Sequence, residues 1–337
     1  MKMSVMLSDK QDSINMKSAS SDRRCRIVES IVLAAVVIIS VCVVMIALLN
    51  SIQWHIQRFW GISGNFWNGI YKYLYEHYGK LSPFLFLMFG MGLSSHIPFI
   101  LLNLPLLIID VFEWPSWLTC YKIQPHRKLN VQRLPKLLKQ VIFNQIIVAS
   151  ITAFIFCKLQ FLRSPGVVTD DIPTFQRYII DITIFSFVEE ILFYYFHRLA
   201  HHPSLYKYVH KQHHEWKTSI GLTCVYAHPI EHTLVNLIPV LAGPLLTGAH
   251  ASSIWIWLVI TIISTIISHC GYHFPFLPSP ESHDYHHVQF NNNFGVLGIL
   301  DKLHGTDIHF KNSDTYQYHY VSMCLKPFDR KDYNKSL

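Results

Sequence analysis

Residues 197–216 read HRLAHHPSLYKYVHKQHHEW, six histidines in twenty positions. His197 and His201 stand four apart, the step that brings two side chains to one face of a helix. His210, His213 and His214 follow the pattern H-x-x-H-H, and the same pattern returns in HDYHH as His283, His286 and His287. Between them, HCGYH places His269 and His273 four apart. Imidazoles at helical steps offer neutral nitrogens to a transition metal at about 2.0–2.2 Å without strain. Ten such ligands exceed what one ion takes, so the spacing predicts a dinuclear site. His202 is adjacent to His201 and points elsewhere. His228 and His232 in YAHPIEH flank Pro229, which suits a helix start, and are weaker candidates. His304 and His309 lie beyond the last cluster and read as structural or solvent-facing, and His96 as a packing residue.

Carboxylates come next. Glu189 and Glu190 sit inside an apolar helix, where a charge is costly and functional by default. Glu190, Tyr194, His197 and His201 form one continuous stripe. A ligating imidazole usually passes its other N–H to a carboxylate or carbonyl, so Glu190, Glu215, Glu231 and Asp284 are candidates to receive it. The strings H-E-x-x-H and G-x-S-x-G are absent, which disfavours a zinc or serine hydrolase. Two irons fit an all-imidazole set better, with dioxygen binding and one-electron steps as the chemistry. No G-x-G-x-x-G or C-x-x-C-H occurs, so electrons must come from a partner.

These residues need a scaffold, and composition says which. Of 337 residues, 51% are apolar and 15% charged, the balance of a polytopic membrane protein. The net charge of +7 is too small to suggest nucleic acid and fits basic cytosolic loops. The seven cysteines are scattered, without a C-x-x-C pair. Residues 1–26 read as a disordered cytosolic tail. The run 31–49, preceded by Arg23, Arg24 and Arg26, reads as a membrane anchor starting in the cytosol. The aromatic stretch 51–82 suits a membrane interface. Residues 83–109, with Pro98 and Pro105, read as one kinked span or a re-entrant hairpin. The basic loop 110–139 is expected in the cytosol, 141–156 leaves it, and 177–196 returns to deliver His197. The stretch 233–268 reads as a helical hairpin, each arm short for a full span, that brings His269 back to the other histidines. The expected fold is all-α: transmembrane helical hairpins with a cytosolic helical cap holding the metals. Its parts are the tail, N-terminal membrane helices over 27–176, a catalytic domain over 177–310 and a polar tail over 311–337.

The strings FHRLAHHP, YKYVHKQHHEW, YAHPIE, HCGYHFP and HDYHHVQFNNNFGVLGILDKLHGTD resemble the fatty acid hydroxylase/sterol desaturase superfamily, and within it the sterol C-4 methyl oxidase branch. The resemblance implies an endoplasmic-reticulum enzyme with two irons and dioxygen, fed by NAD(P)H through cytochrome b5 and its reductase. It implies that His197, His201, His210, His213, His214, His283, His286 and His287 are catalytic ligands. His269 and His273 match an additional pair in fatty acyl hydroxylase relatives; sterol oxidase relatives often carry Asp where this chain has His273. The expected reaction is oxygen insertion at an unactivated C–H of a membrane lipid, a sterol 4-methyl group first. Hydroxylation of a fatty acyl or sphingolipid chain is the alternative enzyme, and an idle metal-bound membrane adaptor in signalling the alternative class. Iron is the expected metal, and zinc can displace it on purification. A metal transporter fits poorly, since its ligands belong near the bilayer midplane. Phe185, Phe187, Phe193, Tyr194, Tyr195 and Phe196 are candidates to line a lipid cleft.

Overall fold

The computed structural model describes residues 2–330. The last seven residues of the expected polar tail, 331–337, lie outside them. The described residues are almost wholly helical and hold no strand; one isolated antiparallel bridge joins Lys122 and Tyr272. The chain divides into two compact units, Met1–Trp67 and Asn68–Leu337.

The first unit is the greater part of helix α1 (Lys2–Leu74). The backbone is helical through the stretch read as a disordered tail, which contains no Gly or Pro to interrupt it. From Ile31 to Leu49 every side chain is exposed, the surface a bilayer would cover.

The second unit carries the remaining long helices: α2 (Pro83–Phe112), α3 (Val131–Arg163), α4 (Phe175–Ala200), α5 (Pro203–Val209), α6 (Pro229–Thr247), α7 (Ala251–His269) and α8 (Glu281–Gln289). Helix α2 starts on an N-cap, the Ser82 hydroxyl accepting from Leu85 N–H at 3.3 Å, with Pro83 in the first turn. It continues through Pro98 and Pro105 as a single helix, so the re-entrant alternative for 83–109 is not the one adopted. Five helices among the described residues are long and apolar enough to cross a membrane: Ile31–Gly79, α2, α3, α6 and α7. Two expectations change here. Helix α4, read as a span over 177–196, is not among the five; Arg177, Asp181, Glu189, Glu190 and Arg198 make it too polar. The hairpin arms read as short are nineteen residues each, long enough to cross. The turn between them is made by Gly248 at φ +63° and by His250, whose Nδ1 accepts from Ser252 N–H.

Packing puts α2 along α7 and α4 along α6. One apolar core joins Leu87, Cys157, Phe185, Leu241, Ile254 and Trp257; a second joins Leu137, Val141, Trp216, Leu222, Tyr226 and Ile266. The second core lies under the loop that follows the H-x-x-H-H stretch, so burial of Trp216 and Tyr226 fixes where His213 and His214 stand. At the α4–α6 crossing the backbones nearly touch: a Cβ added to Gly243 would lie 2.7 Å from Phe185 Cα. Gly243→Ala should therefore push the helices apart at a cost of about 1–3 kcal/mol, read as a lower unfolding temperature of the detergent-solubilised protein.

Candidate metal centre

Four elements deliver the histidines. The last turn of α4 presents His197, and His201 caps it. His210 caps α5, and the 3₁₀ turn His213–Glu215 follows at once. Helix α7 ends on His269, and α8 carries His283, His286 and His287. Nine rings gather into two groups, His197, His201, His210, His214 and His286 in one and His213, His269, His283 and His287 in the other, with one ligand atom from each residue lying within 4.8 Å of the others. The two H-x-x-H-H strings do not each serve one ion, as a shared helix face would suggest. Each gives its i, i+4 pair to one group and the histidine between to the other.

The ring nitrogens face inward. His210 Nε2 lies 2.7 Å from His201 Nε2 and 2.9 Å from His214 Nε2, and His201 Nε2 lies 3.2 Å from His286 Nε2. In the second group His283 Nε2 is 2.8 Å from His269 Nε2 and 3.1 Å from His287 Nε2. Two nitrogens about 2.1 Å from a common ion and at right angles would be about 3.0 Å apart.

The opposite nitrogens decide what the inner ones carry. His197 Nδ1 donates to Phe294 O (2.8 Å), His286 Nδ1 to Asn292 O (2.6 Å), His269 Nδ1 to Thr265 O (2.9 Å) and His213 Nδ1 to Tyr226 O (3.3 Å). His210 Nδ1 donates to Glu231 Oε1 at 2.6 Å. With the proton on Nδ1, Nε2 is left as a bare lone pair. His201 then faces the bare nitrogens of both His210 and His286, and a single N–H on it cannot satisfy both. A cation satisfies all, so the donor set fits a metal in each group.

Of the carboxylates singled out in sequence, Glu231 takes a ring N–H. Glu215 instead holds Lys136 at 2.8 Å and Tyr226 Oη at 2.9 Å, and Asp284 receives Gln124 Nε2 at 2.9 Å. Glu190 acts one step removed, accepting the backbone N–H groups of Val296, Leu297 and Leu300. Asp301 accepts those of Phe294 and Gly295, both at 2.7 Å; burial raises its carboxyl above the ordinary range. Together they clamp the loop whose Phe294 carbonyl orients His197. Gly295 must be glycine there, since a Cβ would meet Asp301 Oδ2 and Glu190 Oε1 at 2.9 Å.

His273 is the correction. It joins neither group: Nδ1 lies 3.3 Å from Glu281 Oε1 and Nε2 3.0 Å from Tyr320 O. The helix ends at His269, and Gly271 at φ +76° turns the chain into the bridge with 121–123, so the four-residue spacing is not helical. His273 belongs instead to a buried Glu281–Arg330 pair. The bonds from His273 and Arg330 carry Glu281 below the ordinary carboxylate range although burial alone would raise it. Elsewhere, His228 caps α6 through Ile230 N–H, and His304 stacks on Tyr194 with Nε2 3.1 Å from Tyr195 Oη. His202 caps α5, and His309 is exposed. What the sequence reading missed are the carbonyl acceptors, which leave no side-chain signature beyond the NNNFG string.

Burial first, and the neighbouring imidazoles second, hold His210, His214, His283, His286 and His287 well below the usual histidine range; burial likewise brings His213 to about 4. The rings are neutral at neutral pH, as ligation requires.

Three outcomes follow. Purified protein should carry about two transition-metal ions per chain; His286→Ala should empty the five-histidine group and His213→Ala the four-histidine group. Glu231→Gln should weaken retention roughly 10- to 100-fold, read by elemental analysis during chelator titration. Because these folded-state values lie below the unfolded value, the unfolded chain binds more protons below about pH 6.5. Metal-free protein should therefore keep its melting temperature above that pH and lose stability steadily as pH falls toward 4; a flat profile would contradict the neutral-ring assignment.

A cavity of about 310 Å³ reaches His197, His210, His213, His269 and His283 from between the helices. Of the six aromatic residues proposed as cleft lining, Phe193 lines it, whereas Phe185 packs in the core against Trp257. The Fatty acid hydroxylase family profile matches residues 182–306. The human Fatty acid hydroxylase domain-containing protein 2 is 42% identical over 285 residues, 84% of this chain and 85% of that protein. A fatty acid hydroxylase of Mycosarcoma maydis is 35% identical over 224 residues, 65% of this chain and 58% of that one. Methylsterol monooxygenase 2-2 of Arabidopsis thaliana is 30% identical over 263 residues, 73% of this chain and 93% of that one. No solved structure matches. The matched stretch holds both H-x-x-H-H strings, and the human relative extends the likeness across most of the membrane helices: the chain belongs to the fatty acid hydroxylase family.

Proposed function

We propose that this chain is a di-iron oxygenase of the endoplasmic-reticulum membrane that oxidises an unactivated C–H of a lipid, the 4-methyl group of a sterol intermediate. The observation that carries the reading is the cavity. On one side it is lined by Met88, Met91, Ala153, Leu241, Leu258 and Ile262 from candidate membrane-spanning helices, and on the other by histidines of both metal groups. A lipid entering between helices would thus reach the metals without crossing water. Iron bound by the nine histidines would supply the one-electron chemistry that activates dioxygen. The net reaction takes one dioxygen, two electrons and two protons, leaving one oxygen atom on the lipid carbon and one in water. The electrons would come from NAD(P)H through a reductase and cytochrome b5, with the histidine face toward the cytosol.

The protein's own groups prepare this. Glu231 and the carbonyls of Phe294, Asn292, Thr265 and Tyr226 hold the ring protons of His210, His197, His286, His269 and His213 on Nδ1, so that their Nε2 atoms point inward as lone pairs. The apolar lining keeps water from the substrate carbon. Similarity to a methylsterol monooxygenase over 73% of the chain supports the sterol. Similarity to a fungal fatty acid hydroxylase supports the second reading, an acyl chain.

Lipid profiling of cells lacking the protein separates them. Loss should raise 4-methylated sterol intermediates and leave hydroxylated acyl chains unchanged. The reverse pattern would move the assignment to acyl chains, and no change in either, with no dioxygen uptake by the reduced purified protein, would leave a metal-bound adaptor.

A further inference from the structure

Two of the candidate spans are interrupted by π-helical turns, Asn144–Val148 within α3 and His232–Leu237 within α6. A π turn inserts one residue into the helical ladder, re-aims the side chains around it, and recurs at functional sites. The two turns pack against each other. In the first, Asn144 Nδ2 donates to Val225 O at 2.8 Å and Ala227 O at 2.9 Å, gripping the segment whose Tyr226 carbonyl holds His213. The next residue, Gln145, opens on the cavity; it is 8% exposed, and its Nε2 has no hydrogen-bond partner. In the second turn His232 opens on the same cavity; it is 2% exposed, and its Nε2 also has no partner. Asn236 Nδ2 lies 3.3 Å from His232 Nδ1. With the Asn236 amide turned this way its N–H₂ can only donate, so Nδ1 accepts and the ring proton sits on Nε2.

Two buried N–H donors thus open on an otherwise largely apolar cavity with nothing to receive them. Buried donors of this kind are rare in folded proteins and ask for an acceptor. No Lys or Arg lines the cavity, so at the anchor no side-chain cation is present to pair with an anionic group, and two N–H donors suit an uncharged oxygen. We propose that Gln145 and His232 form an oxygen anchor that holds an uncharged hydroxyl or carbonyl oxygen of the lipid and so positions the carbon to be oxidised. The proposal rests on the reading of the cavity as a lipid site. Its place fits that role: His232 follows Glu231, the residue that orients His210. A 4-methyl sterol bears its 3-hydroxyl on the carbon next to the methylated one, and an acyl chain bears its carbonyl at one end; the anchor's chemistry serves either.

Equilibrium binding to the full-length, metal-loaded protein in nanodiscs tests it. One pair of probes is a 4,4-dimethyl sterol and its 3-deoxy counterpart, and the other is octadecanol and octadecane. The wild type should prefer the oxygenated member of one pair by roughly tenfold, and the pair that shows the preference identifies the source of the oxygen. Gln145→Met, close in shape but without the N–H, should bring that ratio near one, as should His232→Phe, while metal content and affinity for the deoxygenated probe stay as in the wild type. His232→Gln, which keeps a donor, should retain part of the preference. Metal content reports folding in each variant, and if His232→Phe fails to fold then Gln145→Met decides alone. Equal binding of both members by the wild type, or a preference unchanged in Gln145→Met, would overturn the anchor even where oxidation proceeds. A preference lost in the variants, with no dioxygen uptake by the wild type on any probe, would leave the anchor standing and remove the oxygenase reading.

Discussion

Lone pairs that repel one another unless a cation stands between them govern this structure. Nine imidazole rings are carried into a space that excludes water, several with Nε2 atoms about 3 Å from a neighbour's. Five of the rings, those of His197, His210, His213, His269 and His286, are oriented from behind by a carbonyl or by Glu231, and the acceptors of His197 and His213 are in turn fixed by Glu190, Asp301 and the buried Tyr226 segment. The polar network around the loop 292–301 therefore serves the metals at one remove. Polar side chains placed in an apolar helix, such as Glu190, are retained because they aim a backbone that aims a ring.

Burial adds to this constraint. A buried imidazole gives up its proton readily, and each added ring makes protonation of its neighbours harder. The same environment that readies the nitrogens for ligation also leaves the metal-free fold strained by their mutual repulsion. Folding and metal binding are thereby linked, as in other sites whose ligands cluster only in the native state.

Much of this was legible in the sequence. In both H-x-x-H-H strings the i, i+4 pair converges on one group, as helical spacing predicts, while the histidine between them goes to the other. His269 was legible because it ends a long apolar run. The four-residue spacing to His273 misled because Gly271 ends the helical register, and only the fold shows that Gly271 takes a positive φ against Ser219. Glu215 and Asp284 read like Glu231, yet Lys136 and Gln124 reach them through contacts distant in sequence. The π turns at 144–148 and 232–237 carry no motif, so neither Gln145 nor the orientation of His232 could be read from spacing. Helix α4 reads as a span from its apolar stretches, but it carries Glu190, which holds the loop beyond α8, and an Arg177–Asp181 pair of its own.

The division of each H-x-x-H-H string between two groups has a mechanical consequence. His213 and His214 are chain neighbours that serve different groups, as are His286 and His287. Two peptide linkages thus join the two groups, and the separation of ions held there would be bounded by covalent geometry as well as by the packing that sets each ring. A shift of either ion would be passed toward the other through a backbone that can hardly stretch. The two positions would in that sense be geared, each group holding one neighbour of the other's ligands.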